Sequence, residues 1–201
     1  MRKWFLVILT CLGLEANASN CNALRLAPDL SQKISSELLA GDHLIQLGNN
    51  RGALLRFQTA QGLLHQHCGV WTWEQATVVE RIISATPAKA VHQHVRLEKF
   101  LYLLAERNLG LSNTLLHESS IRLGNAYLNA ERYQDALFMF EQATDLLEIK
   151  INSTPADTLA QKQLKDQLSL VSVYADISAK WMFESPEKQG AYSSALALLL
   201  D

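Results

Sequence analysis

The residues Leu123, Gly124, Tyr127, Tyr133, Ala136, Phe140 and Ala143 constrain the fold of this chain more than any other set. Leu123, Tyr127 and Ala130 fall on one face of a helix, and Ala136, Phe140, Ala143 and Leu147 on one face of the next. Glycine inside a helix costs ~1 kcal/mol relative to alanine, so Gly124 needs a packing reason. With Ala136 it marks the place where two helices approach most closely, and Tyr127 and Phe140 fill the volume beside them. Such a helix pair has an apolar flank that a neighbouring pair must cover.

The rest of the chain reads the same way. Apolar residues recur at three and four, with almost no period-two alternation, which predicts an all-α chain. Thr86-Pro87, Thr154-Pro155 and Ser185-Pro186 each pair a capping side chain with a proline suited to a first helical position. Thr72 and Gln75 have capping-box spacing. Gly48-Asn49-Asn50 and Asn108-Leu109-Gly110 supply helix-ending residues that tolerate positive φ. The spacing therefore predicts eight helices, over roughly 29–47, 51–67, 73–85, 87–108, 114–129, 133–150, 155–184 and 186–200. Their short connections make sequential neighbours antiparallel.

The set from Leu123 to Ala143 resembles the tetratricopeptide repeat, a helix–turn–helix unit of 34 residues. Leu123, Gly124, Tyr127, Tyr133, Ala136, Phe140 and Ala143 carry the resemblance, while Ser120 and Glu148 depart from it. The best repeat covers about 117–150. A weaker copy at about 34–67 places Gly41, Ala53, Phe57 and Ala60 at the same mutual offsets, 83 residues earlier. Because 83 is not a multiple of 34, the helices between the copies are degenerate or inserted. Helices 155–184 and 186–200 offer a third unit, with Tyr192, Ala195 and Leu199 echoing the second helix. The resemblance implies a right-handed superhelical, solenoid-like stack of antiparallel helix pairs.

The first residues carry an export pattern. Arg2 and Lys3 precede the apolar run Trp4-Phe5-Leu6-Val7-Ile8-Leu9, and Ala16-Asn17-Ala18 precedes Ser19. A positive start, a short apolar run and small residues at −3 and −1 describe a signal peptide cleaved after Ala18. The run is shorter than the ~20 apolar residues that span a bilayer. Residues 19–201 then form one helical domain. Loss of residues 1–18 removes Arg2, Lys3 and Glu15, leaving 16 basic against 19 acidic residues, or −3 with neutral histidine. That balance gives no electrostatic case for nucleic acid. Cys21 and Cys68 remain, and an oxidising compartment favours a disulfide between them. The expected address is the periplasm first and the extracellular space second.

Catalytic signatures are missing. No Gly-rich phosphate loop, nucleophile elbow or HExxH occurs, so no enzyme activity and no cofactor are expected. Glu74, Glu80, Glu98 and Glu106 read as a solvated helix face. His65-Gln66-His67-Cys68 and His92-Gln93-His94 could chelate zinc or copper. Residues two apart on a helix point ~200° apart and cannot share an ion there, so no metal site is assigned. Trp71, Trp73, Trp181, Met182 and Phe183 read as core residues.

The resemblance further implies a peptide- or protein-binding groove along the first helix of each repeat. In the better copy that stripe holds Glu118, Ile121, Asn125 and Leu128, and in the earlier copy Ser35, Leu38, Asp42 and Ile45. Neither stripe has Lys or Arg, which points to a partner with apolar side chains and basic or neutral polar groups. The apolar end Ala195-Leu196-Ala197-Leu198-Leu199-Leu200 would dock on the preceding helix, pair with another subunit or cover a partner. Two other readings stay open: a periplasmic enzyme or metal-handling protein on a helical scaffold, and a structural component of an envelope assembly.

Overall fold

The computed structural model describes residue 21 and residues 28–109, 114–156 and 158–183. The export signal and the helix expected over 186–200 lie outside the described residues. Among the described residues there are seven helices and no strand: α1 Pro28–Gln46, α2 Asn50–Cys68, α3 Gln75–Ala85, α4 Val91–Leu109, α5 Thr114–Asn129, α6 Tyr133–Ser153 and α7 Leu159–Phe183. Each packs on the next in sequence, and α1 also touches α3. The order is antiparallel: Phe140 meets Tyr174 and Tyr133 meets Trp181, so the chain of α7 runs back along α6.

One contact recurs. A Cβ on Gly124 would stand 2.6 Å from Phe140 Cε1, and one on Gly41 would stand 2.7 Å from Phe57 Cδ1. Both phenylalanines are fully buried, so neither ring has room to withdraw. Only a missing side chain lets α1 and α2, or α5 and α6, come this close. The two hairpins also close alike. Asn49 N–H donates to the Leu44 carbonyl and Arg132 N–H to the Tyr127 carbonyl, at 2.8 and 2.9 Å. The residues just before them, Gly48 and Glu131, both have positive φ, +73° and +58°. Each pair of equivalents is 83 residues apart, so the expected weaker copy has the same packing and the same turn.

Two capping expectations are corrected. Thr86 and Thr154 do not start the helices after them; they close the helices before. The Thr86 hydroxyl donates to the Ile82 carbonyl at 2.6 Å and the Thr154 hydroxyl to the Lys150 carbonyl at 2.7 Å. The following proline disfavours helical ψ at the threonine, and both are extended, at ψ 128° and 135°. The hydroxyl then satisfies a carbonyl that the helix end leaves open. As a result α4 begins at Val91, after a turn at residues 87–90. Helix α7 begins at Leu159, where Thr158 Oγ1 accepts the Gln161 N–H at 3.1 Å. The Thr72–Gln75 capping box is not formed. Gln75 donates its side-chain amide to the Gly69 carbonyl, and Thr72 Oγ1 has no partner.

The core falls into three clusters. Phe57, Leu64, Ile34, Val78 and Ile82 centre the one between α1, α2 and α3. Val79, Leu101 and Leu104 join α3 to α4. Leu123, Tyr127, Phe140, Leu147, Val171, Tyr174 and Trp181 form the third, across α5, α6 and α7. Cys21 and Cys68 stand at disulfide distance, with Cα atoms 5.2 Å apart and a sequence separation of 47. The bridge ties residue 21 to the end of α2, and the Cys21 N–H donates to Glu74 Oε1 at 2.9 Å.

Two stability predictions follow from this packing. Gly124→Ala and Gly41→Ala should each lower stability: the gain of ~1 kcal/mol in helix propensity is outweighed by roughly 1–3 kcal/mol of overpacking or more. Gly62→Ala, at an exposed α2 site with open space around it, should instead gain about 0.5–1 kcal/mol. Urea unfolding of the three variants reads both signs, and a stabilised Gly124→Ala would refute the close-approach account. Cys68→Ser should lower stability by about 3–4 kcal/mol in the chain-entropy view of a loop this long. Wild-type protein with and without reductant checks it.

Candidate functional site

The face shared by α1, α3 and α5 carries the polar organisation of the molecule. Arg81 on α3 donates its Nε to both oxygens of Asp42 on α1, at 3.0 and 3.2 Å. Arg122 on α5 reaches two helices. Its Nε and Nη2 donate to Glu98 Oε1 of α4 at 3.3 and 3.0 Å, and its Nη1 donates to Glu80 Oε1 of α3 at 3.1 Å. Burial works against the Arg122 charge, but Glu98 and Glu80 outweigh it and raise its pKa.

Two cavities flank Arg122. One of about 200 Å³ lies between α3, α4 and α5 and is bordered by Trp73, Thr77, Glu80, Leu101 and Glu118. The other, of about 310 Å³, lies between the 87–90 turn, α4 and α5. Ala88, Val91 and Ala126 give it small apolar walls, and Asn125 and Asn129 add amides. His94 also lines it, with Nε2 3.3 Å from the Pro87 carbonyl.

The seven expected groove residues separate into four kinds. Glu118 and Asn125 line the cavities. Asp42 is held by Arg81. Leu38 and Ile45 are half-buried against the first core cluster, and Ile121 is half-buried against the third. Leu128 is only 4 % exposed and belongs to the core itself. The stripe is therefore more enclosed than its helical spacing implied, because α3 and α4 pack beside it. Ser35 is exposed.

The sequence reading missed the two arginines and one glutamate. Arg81 and Arg122 stand on this face although the stripes themselves contain no cation. Glu98 was expected in a solvated row with Glu74, Glu80 and Glu106; Glu80 and Glu106 are exposed, but Glu74 is half-buried and Glu98 is buried. A signal for it existed. Ala53, Phe57, Ala60 and Leu64 in α2 and Ala136, Phe140, Ala143 and Leu147 in α6 have the same 4-3-4 spacing. In α4 that spacing picks out His94, Glu98, Leu101 and Ala105, which places a carboxylate where the other two hairpins place the phenylalanine.

The histidine pairs are separated from any common ligand set. Among the described residues no three of His, Cys, Asp or Glu gather as a metal site, and Cys68 is engaged with Cys21. Burial lowers the pKa of His65. Trp71 is partly exposed, tilted against Phe100 at 5.7 Å with the Arg107 guanidinium 5.5 Å from its ring. Among the described residues no helix is long and apolar enough to cross a membrane. No protein-family model and no curated protein sequence matches this chain.

His117 on α5 is the most perturbed histidine here. It is 2 % exposed, its Nε2 has no hydrogen-bond partner, and burial followed by the Lys150 charge pushes its pKa down to about 4. The unfolded chain takes up that proton near 6.5 and the folded chain only near 4. Stability should therefore be full above pH 6.5 and fall as pH drops toward 4, by on the order of 3 kcal/mol. Denaturation curves from pH 7 to 4 read this loss, and His117→Gln should flatten it. An unchanged slope in the variant would assign the loss to other groups.

Proposed function

We propose that this chain is an exported, non-catalytic, tetratricopeptide-like scaffold that binds a protein or peptide along the face of α1, α3 and α5. The observation that carries the reading is the pair of cavities beside Arg122, reached by Glu118 and Asn125 on one helix face. Shallow recesses with small apolar walls and amide groups suit side chains of a polypeptide laid across several helices. The repeated glycine–phenylalanine contact and the repeated hairpin closure support a tetratricopeptide-like superhelical stack, with α3 and α4 as its degenerate middle unit.

Export rests on the pattern of residues 1–18 and is supported by the disulfide-distance cysteine pair. The periplasm is the favoured address. The partner presents apolar side chains with basic or neutral polar groups, because Glu80, Glu98 and Glu118 outnumber Arg122 around the two cavities. A photo-crosslinking residue at Glu118 or at Asn125, in protein expressed in its own cells, should form a discrete adduct. The same residue at exposed Gln163 on α7 should not. Adducts only at position 163 would move the interface to α7, and adducts at none of the three would reject the groove.

A further inference from the structure

The outward faces of α4 and α6 carry opposite charge. On α4, Arg96, Lys99 and Arg107 recur at three- and four-residue steps through Leu103, and all three cations are exposed. The only exposed carboxylate of that helix is Glu106, which accepts the Tyr102 hydroxyl at 3.2 Å. On α6, Glu141, Asp145 and Glu148 form an exposed acidic stripe. Apolar side chains stand beside both rows. Phe138 and Ile149 on α6 are 57 % and 55 % exposed, and partly exposed Trp71 lies against the Arg107 guanidinium. None of the six charges is spent within the chain. Among the described residues the ion pairs belong to Arg56, Arg81, Arg122 and Arg132, so these stripes stay unpaired while four other arginines do not.

The stripes are neighbours, because the Tyr102 hydroxyl donates to Gln142 Oε1 at 3.0 Å between them. Successive helices alternate in direction, so α4 and α6 run parallel. We propose that this surface joins two copies of the chain. A two-fold axis along the seam between α4 and α6 sets α4 of each copy over α6 of the other. The register fits. Lys99 lies three residues before Tyr102, and Glu141 one before Gln142; Arg107 lies five after and Glu148 six after. Each cation therefore comes level with a carboxylate of the other copy to within about 3 Å along the axis. A two-fold axis across the helices would set α4 on α4, and like charge rejects it. Charge also decides the occupant: a polyanion would meet the α6 carboxylates and a polycation the α4 cations, whereas a second copy complements both. Phe138, Ile149 and Trp71 lose water in the same contact. The inference goes beyond the scaffold reading, since the α1–α3–α5 face stays open and a dimer presents it twice.

Sedimentation and light scattering of the purified protein test it. The mass of two chains is expected at low ionic strength, falling toward one as salt is raised. Lys99→Glu with Arg107→Glu should weaken self-association by about a hundredfold or more. Glu141→Lys with Glu148→Lys should do the same, because either change sets like charges together twice. All four positions are exposed, and circular dichroism checks that both variants keep their helices. Mixing the two variants should restore a dimer, since each reversed stripe then meets its complement; a misfolded variant could not produce that result. A wild type that is monomeric at every concentration, a dimer that neither variant weakens, or folded variants that stay monomeric when mixed would overturn the proposal. Crosslinking at Glu118 reads the other face, so the scaffold reading stands or falls separately.

Discussion

The contact between a helical glycine and a phenylalanine ring determines how the hairpins of this protein are built. The Phe140 ring occupies the space that a Gly124 side chain would need, and its other face meets Tyr174 of α7. One ring thus sets the approach of α5 to α6 and the seat of α7. Tyr133, seven residues earlier, meets Trp181 edge-on at 5.3 Å and continues the same seam. Packing of this kind is unforgiving, because interiors are close-packed and a single methyl group must be accommodated by backbone movement. The first hairpin repeats the contact with Gly41 and Phe57. Two hairpins with the same internal spacing present equivalent helix faces to whatever lies between them.

What lies between them follows a different rule. Helices α3 and α4 contain no glycine, and the ion pairs of Asp42, Arg81, Glu80, Arg122 and Glu98 run from α1 to α5 across them. Partly exposed pairs contribute only about 0–1 kcal/mol each, so they do not hold the helices together; Val79, Leu101 and Leu104 do that. The pairs instead fix lateral register, because a guanidinium that bonds carboxylates on two helices tolerates little sliding. Tyr102 adds a link on the other side, its hydroxyl 3.0 Å from Gln142 Oε1 on α6, with burial and then Glu106 pushing its pKa up to about 12.

Much of this was legible in the chain, for reasons that differ from residue to residue. Helical period and the glycine–phenylalanine offset are properties of spacing, and spacing is what a sequence displays; the Cys21–Cys68 pair was legible from there being two cysteines left after the export pattern. The direction in which Thr86 and Thr154 act was not legible, because a threonine before proline can cap forward or bond backward. Only the local ψ decides between them. Leu128 and Ile121 were misjudged as open because the face of a helix says nothing about which neighbour covers it. Glu98 was misjudged for the opposite reason. A charged residue reads as solvated unless its register is compared with the buried positions of the sister hairpins, and that comparison requires knowing that α4 begins at Val91 rather than at Pro87.

The ends of the helix array show how unequal cores are balanced. The α5–α7 end buries Phe140, Tyr174, Trp181, Leu123 and Leu147 in its large cluster, with no cysteine in any of its described helices. The α1–α3 end has a smaller cluster in which two of the buried α2 residues are alanines, and there residue 21 is tied covalently to the last residue of α2. A cross-link restricts the unfolded chain and so stabilises this end independently of its apolar burial. With both ends secured by different means, the middle hairpin is released from part of its structural duty. That is the condition under which a buried carboxylate with one unpartnered oxygen can persist at Glu98 without unfolding the protein.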